Sequence, residues 1–224
     1  MWYNSDMGEM IRLYHGSKGG LQGPIRPVSD PASDFGSGFY MGDEITQPQT
    51  LICEDDNPVL YALDFDLEGL KVLRFEPDVE WALFVAFNRG RMERYADTLF
   101  YRRYQEIRES ADAIYGKIAN DRIYYVLNRF FDRLFTDAVM LESLKALNLG
   151  NQFCAVTPRA CSAVSIVDSR PVGAAERAAL REKAHRQRQL AIERTSDIVT
   201  ARRREGLFFD EILERLAKEG RPCP

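Results

Sequence analysis

Three side chains of this sequence have the chemistry of a binding or catalytic site. His15 ends the apolar run 11–15 and precedes a glycine, which places an imidazole at the end of a predicted strand. Tyr40 follows a glycine-bracketed turn, and Gln152 opens another short apolar run. Each residue alone is more typical of a strand end, a turn or a core position. Together they offer an imidazole, a phenol ring and an amide, which can hold a ligand by hydrogen bonds and by stacking.

Histidine and cysteine usage argues against a metal centre. His15 and His185 are the only histidines, and the four cysteines form no CxxC pair: Cys53, Cys154, Cys161 and Cys223. Structural zinc sites and disulfide frameworks both require clustered or regularly spaced ligands. We therefore expect no metal and reduced cysteines, with Cys154 and Cys161 as inert core residues, as in a cytoplasmic protein.

Composition bounds the class of protein. The 224 residues suffice for one domain with a substantial core, and the net charge of −4 is mildly acidic. Such a chain is not typical of a non-specific nucleic-acid coat. No apolar run reaches the roughly 18 residues of a membrane-spanning helix, and the first residues lack the pattern of a secretory signal. These features predict a cytoplasmic protein without a membrane partner.

Hydrophobic periodicity predicts alternating strands and helices, an α+β pattern. Strands are predicted at residues 11–15, 39–41, 59–65, 70–75, 112–119, 152–156 and 162–167, and helices at 78–88, 121–135 and 136–147. After Pro171 the composition becomes basic, and two further helices are predicted, one over 173–194 and one around residues 208–216. We therefore divide the chain into a domain at 1–171 and a C-terminal helical extension at 172–224.

The segments around His15, Tyr40 and Gln152, in this order along the chain, resemble the histidine–tyrosine–acid pattern of the ADP-ribosyltransferase superfamily. They resemble more closely a bacterial family of uncharacterised-domain proteins within that superfamily, across about residues 10–170. The shared motifs are Leu-Tyr-His-Gly-Ser at 13–17, Asp-Phe-Gly-Ser-Gly-Phe-Tyr at 34–40, a helix with Trp81 and Asn88-Arg89, Gly-Lys-Ile-Ala-Asn-Asp at 116–121, and Asn-Gln at 151–152. The first two motifs are fairly specific. The resemblance implies split, mainly antiparallel sheets that form a cleft for NAD, with packed helices and appended C-terminal helices.

The resemblance also implies roles for the motif residues. NAD supplies its own leaving group, and catalysis requires a bent dinucleotide and stabilisation of charge on the nicotinamide ribose. His15 would bond a ribose hydroxyl, Gly16 would approach the nicotinamide carboxamide, Ser17 would add a hydroxyl contact, and Tyr40 would stack on the nicotinamide ring. The cofactor-binding set is His15, Gly16, Ser17, Phe35, Gly36, Gly38, Phe39 and Tyr40.

The third catalytic position holds Gln152, where most active members of the superfamily have a glutamate. A glutamine keeps the hydrogen bonds without the negative charge, and loss of one such electrostatic contact costs about 10²–10³ in rate. A neutral residue at this position belongs to the pattern of the closer family. Asp121 is the candidate for a compensating catalytic carboxylate, although it is also placed to cap the helix that follows.

The function expected from the resemblance is NAD-dependent ADP-ribosyl transfer to a macromolecule, protein or nucleic acid. Such a protein would act as an intracellular toxin or effector, with a small antitoxin-like protein as a partner. Two other hypotheses remain open. One is a catalytically silent module that keeps the fold, and the other is an NAD glycohydrolase or an RNA-directed transferase on the same scaffold.

Overall fold

The computed structural model describes residues 2–3, 10–118, 121–147, 150–202 and 204–219. At residues 2, 3, 121, 122, 191 and 219 it describes the backbone alone. The strands are β1 (Trp2–Tyr3), β2 (Met10–Ser17), β3 (Phe39–Gly42), β4 (Val59–Asp66), β5 (Val72–Arg74), β6 (Ala113–Lys117), β7 (Asn151–Ala155) and β8 (Val164–Pro171). The helices are α1 (Thr46–Ile52), α2 (Val79–Asn88), α3 (Leu99–Ser110), α4 (Asp121–Phe131), α5 (Asp137–Leu147), α6 (Pro158–Ser162), α7 (Ala174–Arg202) and α8 (Phe209–Glu219). The α+β class predicted from the sequence is confirmed.

The described strands form one mixed sheet in the order β1-β5-β6-β7-β3-β2-β4-β8. Strands β5 and β6 are parallel, and every other neighbouring pair is antiparallel. The sheet is continuous, where the sequence led us to expect two separate sheets. However, β2 and β3 are joined by a single pair, Tyr14 opposite Gly42. The sheet therefore consists of two half-sheets, one formed by β1, β5, β6, β7 and β3 and the other by β2, β4 and β8, which meet at one narrow junction.

Part of the apolar core lies between the two half-sheets. Leu13, Leu63 and Phe65 from β2 and β4 belong to the same buried cluster as Met41 and Phe153 from β3 and β7. The rings of Phe65 and Phe153 pack edge to face with centroids 6.0 Å apart. Burial of apolar side chains stabilises the fold by about 25 cal/mol per Å² of surface removed from water. This packing holds the half-sheets against each other although few hydrogen bonds join them.

A second and larger core lies between the other sheet face and the helices. Helix α2 is apolar on nearly all sides, and residues 81–88 are all buried, as the sequence predicted. Its N-terminus is capped by Asp78, whose carboxylate accepts a hydrogen bond from the Trp81 amide at 2.8 Å. Helix α2 thus forms the centre of this core, and its C-terminal end carries Asn88 and Arg89 toward the junction of the half-sheets.

The C-terminal helices join this second core. Phe209, Ile212, Leu213 and Leu216 of α8 are buried in the same cluster as α2 and α4. Helix α7 packs on α5, α4 and α1. In the described part of the chain no helix is both long enough and apolar enough to cross a membrane.

Two differences from the predicted elements have clear local causes. The helix predicted to continue to residue 135 ends at Phe131, because Arg133 adopts a left-handed conformation (φ 63°) and the Leu134 amide turns back to the Arg129 carbonyl. Helix α1 was not predicted: it is short, contains Pro48, and the residue before it, Ile45, makes no side-chain capping bond.

Candidate functional site

A small cleft opens where β2 and β3 separate after their single pair. Its volume is about 140 Å³. The residues that line it are Tyr14, His15, Gly16, Tyr40, Met41, Gly42, Pro48, Leu51, Ile118 and Gln152. All three residues singled out from the sequence are therefore brought to one cleft. Ligand pockets for whole drug-sized molecules measure about 300–1,000 Å³, so this cleft suits one ring of a larger ligand.

Sheet register explains how distant residues converge there. Gly42 pairs with Tyr14 on one side and with Gln152 on the other, and Gln152 pairs in turn with Gly116. Tyr40 lies two residues before Gly42, so it shares a sheet face with Gln152. His15 follows Tyr14 directly and reaches the cleft from the opposite half-sheet.

His15 is held in one orientation by its neighbours. Its Nδ1 lies 2.7 Å from the Tyr40 carbonyl oxygen, and its ring packs on Phe39 with centroids 4.4 Å apart. A carbonyl can only accept, so Nδ1 carries a proton and Nε2 of the neutral ring is an acceptor. Burial lowers the pKa of His15, although the bond to the Tyr40 carbonyl opposes this effect. The site thus offers a neutral imidazole whose Nε2, which bonds to none of the described residues, is an acceptor that suits a ligand hydroxyl.

We expect a pH dependence of stability from His15. Because its pKa is lower in the folded protein than the ordinary value of about 6.5, its contribution to stability is present above that pH and is lost as the pH falls. The free energy of unfolding, measured by urea titration from pH 7.5 to pH 5, should decrease more in the natural protein than in His15→Asn. Equal slopes in the two proteins would contradict this assignment.

Tyr40 uses its hydroxyl to hold the preceding turn. The hydroxyl accepts a hydrogen bond from the Phe35 amide at 2.9 Å and donates one to the Gly36 carbonyl at 2.8 Å. Burial, with Cys154 and Asp34 nearby, raises the pKa of Tyr40 well above its usual range. The hydroxyl is therefore a structural group, and the ring is the part of Tyr40 that can contact a ligand.

The Tyr40→Phe protein is expected to be less stable by about 2–4 kcal/mol, because two backbone groups lose their hydrogen-bond partner while the ring remains. Thermal or urea unfolding measures this loss. Tyr95→Phe is the matched control, since the Tyr95 hydroxyl makes no hydrogen bond to the residues that the structure describes. If Tyr40→Phe loses no more stability than Tyr95→Phe, the Tyr40 hydroxyl has no structural role.

Gln152 is almost completely buried, with 4% of its surface exposed. Its Nε2 donates to Asp34 Oδ2 at 3.1 Å and to the Lys117 carbonyl at 3.3 Å. Both partners are acceptors, so the amide orientation is fixed by chemistry. Oε1 receives no hydrogen bond from the described residues and is not fully buried. Gln152 therefore presents an acceptor oxygen to the cleft.

A buried polar network stands behind Gln152. The Asp34 carboxylate also forms an ion pair with Arg89, and the two side chains are 10% and 8% exposed. Asn88 donates to the Asp34 carbonyl at 3.1 Å, and the Arg89 guanidinium lies 3.9 Å from the centre of the Tyr124 ring. The roles of these residues were not predicted, although Asp34 and Asn88-Arg89 belong to the motifs singled out above. Sequence spacing gave no signal that Asp34 contacts Gln152 or that Arg89 binds Asp34.

Gly16 lines the cleft, but its missing side chain serves packing. A Cβ at Gly16 would lie 2.7 Å from the Pro48 carbonyl oxygen and 2.9 Å from Ile52 Cγ2. The glycine thus allows α1 to pack on β2 beside the cleft. Ser17 is the last residue of β2, opposite Val59, and does not line the cleft.

The other residues predicted to bind NAD belong to the turn at 34–40, and they do not line the cleft. Phe35 is fully buried and stacks between Tyr40 and the core ring of Phe75, so it supports the site from behind. Phe39 packs under His15. Gly36 has a positive φ of 78° and accepts from the Tyr40 hydroxyl, and a Cβ at Gly38 would collide with Cys154 Sγ. These four residues shape the site without lining it.

Carboxylates are absent from the described lining of the cleft. Asp121 is the first residue of α4, three residues beyond Ile118, but its side chain lies outside the described part of the chain. The structure therefore leaves its catalytic role as a prediction. Among the described side chains, the carboxylate in contact with Gln152 belongs to Asp34.

Metal and thiol chemistry receive no support from the described residues. Within them, no group of three or more His, Cys, Asp or Glu side chains is placed to hold a metal ion. Cys53, Cys154 and Cys161 are buried free thiols. Burial raises the pKa of each of them, that of Cys161 to about 11, so they stay protonated and are weak nucleophiles. Cys223 lies outside the described residues.

A larger hollow of about 450 Å³ lies away from the cleft, between the end of α4 and the start of α8. Arg91, Arg94 and Arg133 line it. Arg91 pairs with Asp132 and Arg133 with Asp210, which lies 3.5 Å away. These carboxylates offset most of the positive charge, so the hollow is a weak candidate for a phosphate site.

Comparison with known proteins gives one family. A family model described as "Protein of unknown function (DUF3990)" matches residues 11–166. The match contains His15, Tyr40 and Gln152 and ends before α7 and α8. No curated protein and no solved structure matches the chain.

Proposed function

The chain belongs to the DUF3990 family, and we propose that it is an NAD-dependent ADP-ribosyltransferase that acts on a macromolecule. The observation that carries this proposal is the convergence of His15, Tyr40 and Gln152 on one cleft. The sequence resemblance predicted a ligand site from these same three residues, although they are 25 and 112 residues apart along the chain. The fold that we propose is accordingly ADP-ribosyltransferase-like, with the cleft at the junction of the half-sheets.

The size and chemistry of the cleft fit the nicotinamide end of NAD. A volume of about 140 Å³ accommodates a single flat ring, and the ring of Tyr40 supplies an aromatic wall. Such stacking contributes about 1 kcal/mol. The remainder of the dinucleotide would extend out of the cleft from the point where β2 and β3 separate after the pair Tyr14 and Gly42.

His15 and Gln152 would act as hydrogen-bond acceptors for ribose hydroxyl groups. NAD, when bound, supplies the leaving nicotinamide and the ADP-ribose that is transferred. The hydrogen bond at Nδ1 fixes the direction of Nε2 in His15, and the hydrogen bonds at Nε2 fix the direction of Oε1 in Gln152. Preorganised groups of this kind stabilise charge that develops in the transition state without further rearrangement. Pro48 and Leu51 of α1 line the cleft and add apolar surface to its wall.

The proposal extends to a cytoplasmic toxin or effector that a small partner protein neutralises. The supporting feature is the C-terminal extension, whose composition becomes basic after Pro171 and whose helix α7 is largely exposed. A charged, exposed helix can serve as a docking surface for a partner of complementary charge. The acceptor would be a protein or a nucleic acid.

Incubation of the purified protein with NAD labelled in the adenylate part tests the proposal. We expect free nicotinamide and label on protein or RNA when a cell lysate is added, and the two acceptor classes are separated by protease and ribonuclease treatment. Release of nicotinamide with free ADP-ribose alone would indicate a glycohydrolase. Binding of NAD by calorimetry without any release would indicate a catalytically silent module. If NAD neither binds nor is consumed, the proposal is wrong.

A further inference from the structure

The amide of Gln152 is held by an acidic partner rather than by the ligand. Asp34 Oδ2 and the Lys117 carbonyl both accept from Gln152 Nε2. If the amide turned over, Oε1 would face two acceptors, which would leave it without a bond and add electrostatic repulsion. The carboxylate of Asp34 therefore keeps Oε1 toward the cleft.

Asp34 in turn is held by groups from α2 and the residue that follows it. Arg89 binds its carboxylate and Asn88 binds its main-chain carbonyl. Within this network three buried atoms, Asn88 Oδ1 and Arg89 Nε and Nη1, have no hydrogen-bond partner among the residues that the structure describes. Unpaired buried polar groups destabilise a fold. A purely structural role for the network would be met better by apolar side chains of similar size.

The same geometry explains why residue 152 is a glutamine. A glutamate at this position would place a second carboxylate within hydrogen-bond distance of Asp34, in a site with little exposure to water. Two carboxylates that share a buried site cannot both ionise at neutral pH without strong repulsion. An amide is the side chain that can donate to Asp34 and still offer an oxygen to the cleft.

We propose that Asp34, anchored by Arg89, is a positioning residue that orients Gln152, and that it makes glutamine rather than glutamate the working residue at position 152. This inference rests on the proposed function for its reaction. Asp34 does not line the cleft, so it acts through Gln152. A glutamine at position 152 is accordingly compatible with activity, because its amide matches the neighbouring carboxylate of Asp34.

An exchange of the two side-chain types tests the inference. Gln152→Glu is expected to reduce nicotinamide release by about 100-fold, and Asp34→Asn by about tenfold, because an asparagine side chain has one oxygen for two donors. The double variant Asp34→Asn, Gln152→Glu restores one amide facing one carboxylate, and it should be at least about ten times more active than Gln152→Glu alone. Asp132→Asn, which breaks the exposed ion pair with Arg91, is the matched control and should behave like the natural protein. A double variant no more active than Gln152→Glu would overturn the inference.

A second readout needs no NAD. In Gln152→Glu, repulsion between the two carboxylates disfavours their joint ionisation in the folded protein, so this variant should lose stability relative to the natural protein as the pH rises above about 4, the ordinary range of carboxyl groups. Among the described side chains, Arg89, Tyr40 and Cys154 are titratable or charged groups that interact with Asp34, and all three are the same in every variant. The extra pH dependence should disappear in the double variant. If it persists there, or is absent from Gln152→Glu, the positioning role is wrong whatever the activity. If it behaves as expected while the natural protein releases no nicotinamide, the orientation of Gln152 by Asp34 stands and the proposed function fails.

Discussion

The His15→Asn protein is expected to unfold at nearly the same temperature as the natural protein and to lose about 10- to 100-fold in kcat/KM for nicotinamide release. Asparagine has an amide nitrogen close to the position of Nδ1, so it can keep the bond to the Tyr40 carbonyl. It has no atom at the position of Nε2. The variant thus removes the acceptor that faces the cleft while it keeps the bond across the junction of the half-sheets.

Two further variants separate binding from structure. His15→Ala loses both the bond to Tyr40 and the packing on Phe39, so we expect it to be less active and also less stable by about 1–3 kcal/mol. His185→Asn is the matched control, because the second histidine is exposed on α7. His185→Asn should change neither the kcat/KM for nicotinamide release nor the stability of the fold. Normal turnover in His15→Asn would show that Nε2 does not contact the substrate.

Removal of α8 by truncation after Leu207 is expected to abolish cooperative unfolding. Four of its side chains are at most 5% exposed, and Phe209 packs on Phe130 and Phe131 with ring centroids 5.4 and 5.2 Å away. Each such side chain contributes about 1.5–3 kcal/mol by burial, and the four together match the roughly 5–15 kcal/mol that stabilises a typical domain. We therefore expect α8 to be required for the fold, although the family match ends before it.

A point substitution gives the same test in a folded protein. Leu213→Ala should cost about 2–5 kcal/mol and lower the melting temperature by about 10 °C for a chain of this size. Glu214→Ala, on the exposed side of α8, is the matched control and should have little effect. A melting temperature within a degree or two of the natural protein, for the truncated chain or for Leu213→Ala, would mean that α8 is dispensable.

Local patterns were sufficient for much of the fold. The buried helix at 79–88 could be predicted because its apolar run is long and Asp78 precedes it as a cap. The strand at 59–66 could be predicted because a short run of apolar and aromatic residues follows Pro58. Helix α1 could not be predicted, because packing on β2, with Gly16 as the contact point, stabilises it more than its own sequence does.

The sequence by itself determined which residue types were available to a ligand, namely His15, Tyr40 and Gln152, since glycines, strand ends and motif order are local properties. Only the tertiary structure decided that these side chains share one cleft, because strand register joins residues that are distant along the chain. It also decided that the Asp34 carboxylate contacts Gln152 and that Arg89 binds Asp34. The role of Asp121, which the sequence singled out, stays a prediction because its side chain lies outside the described part of the chain. Such contacts depend on the summed packing of several elements, and no spacing within a single segment encodes them.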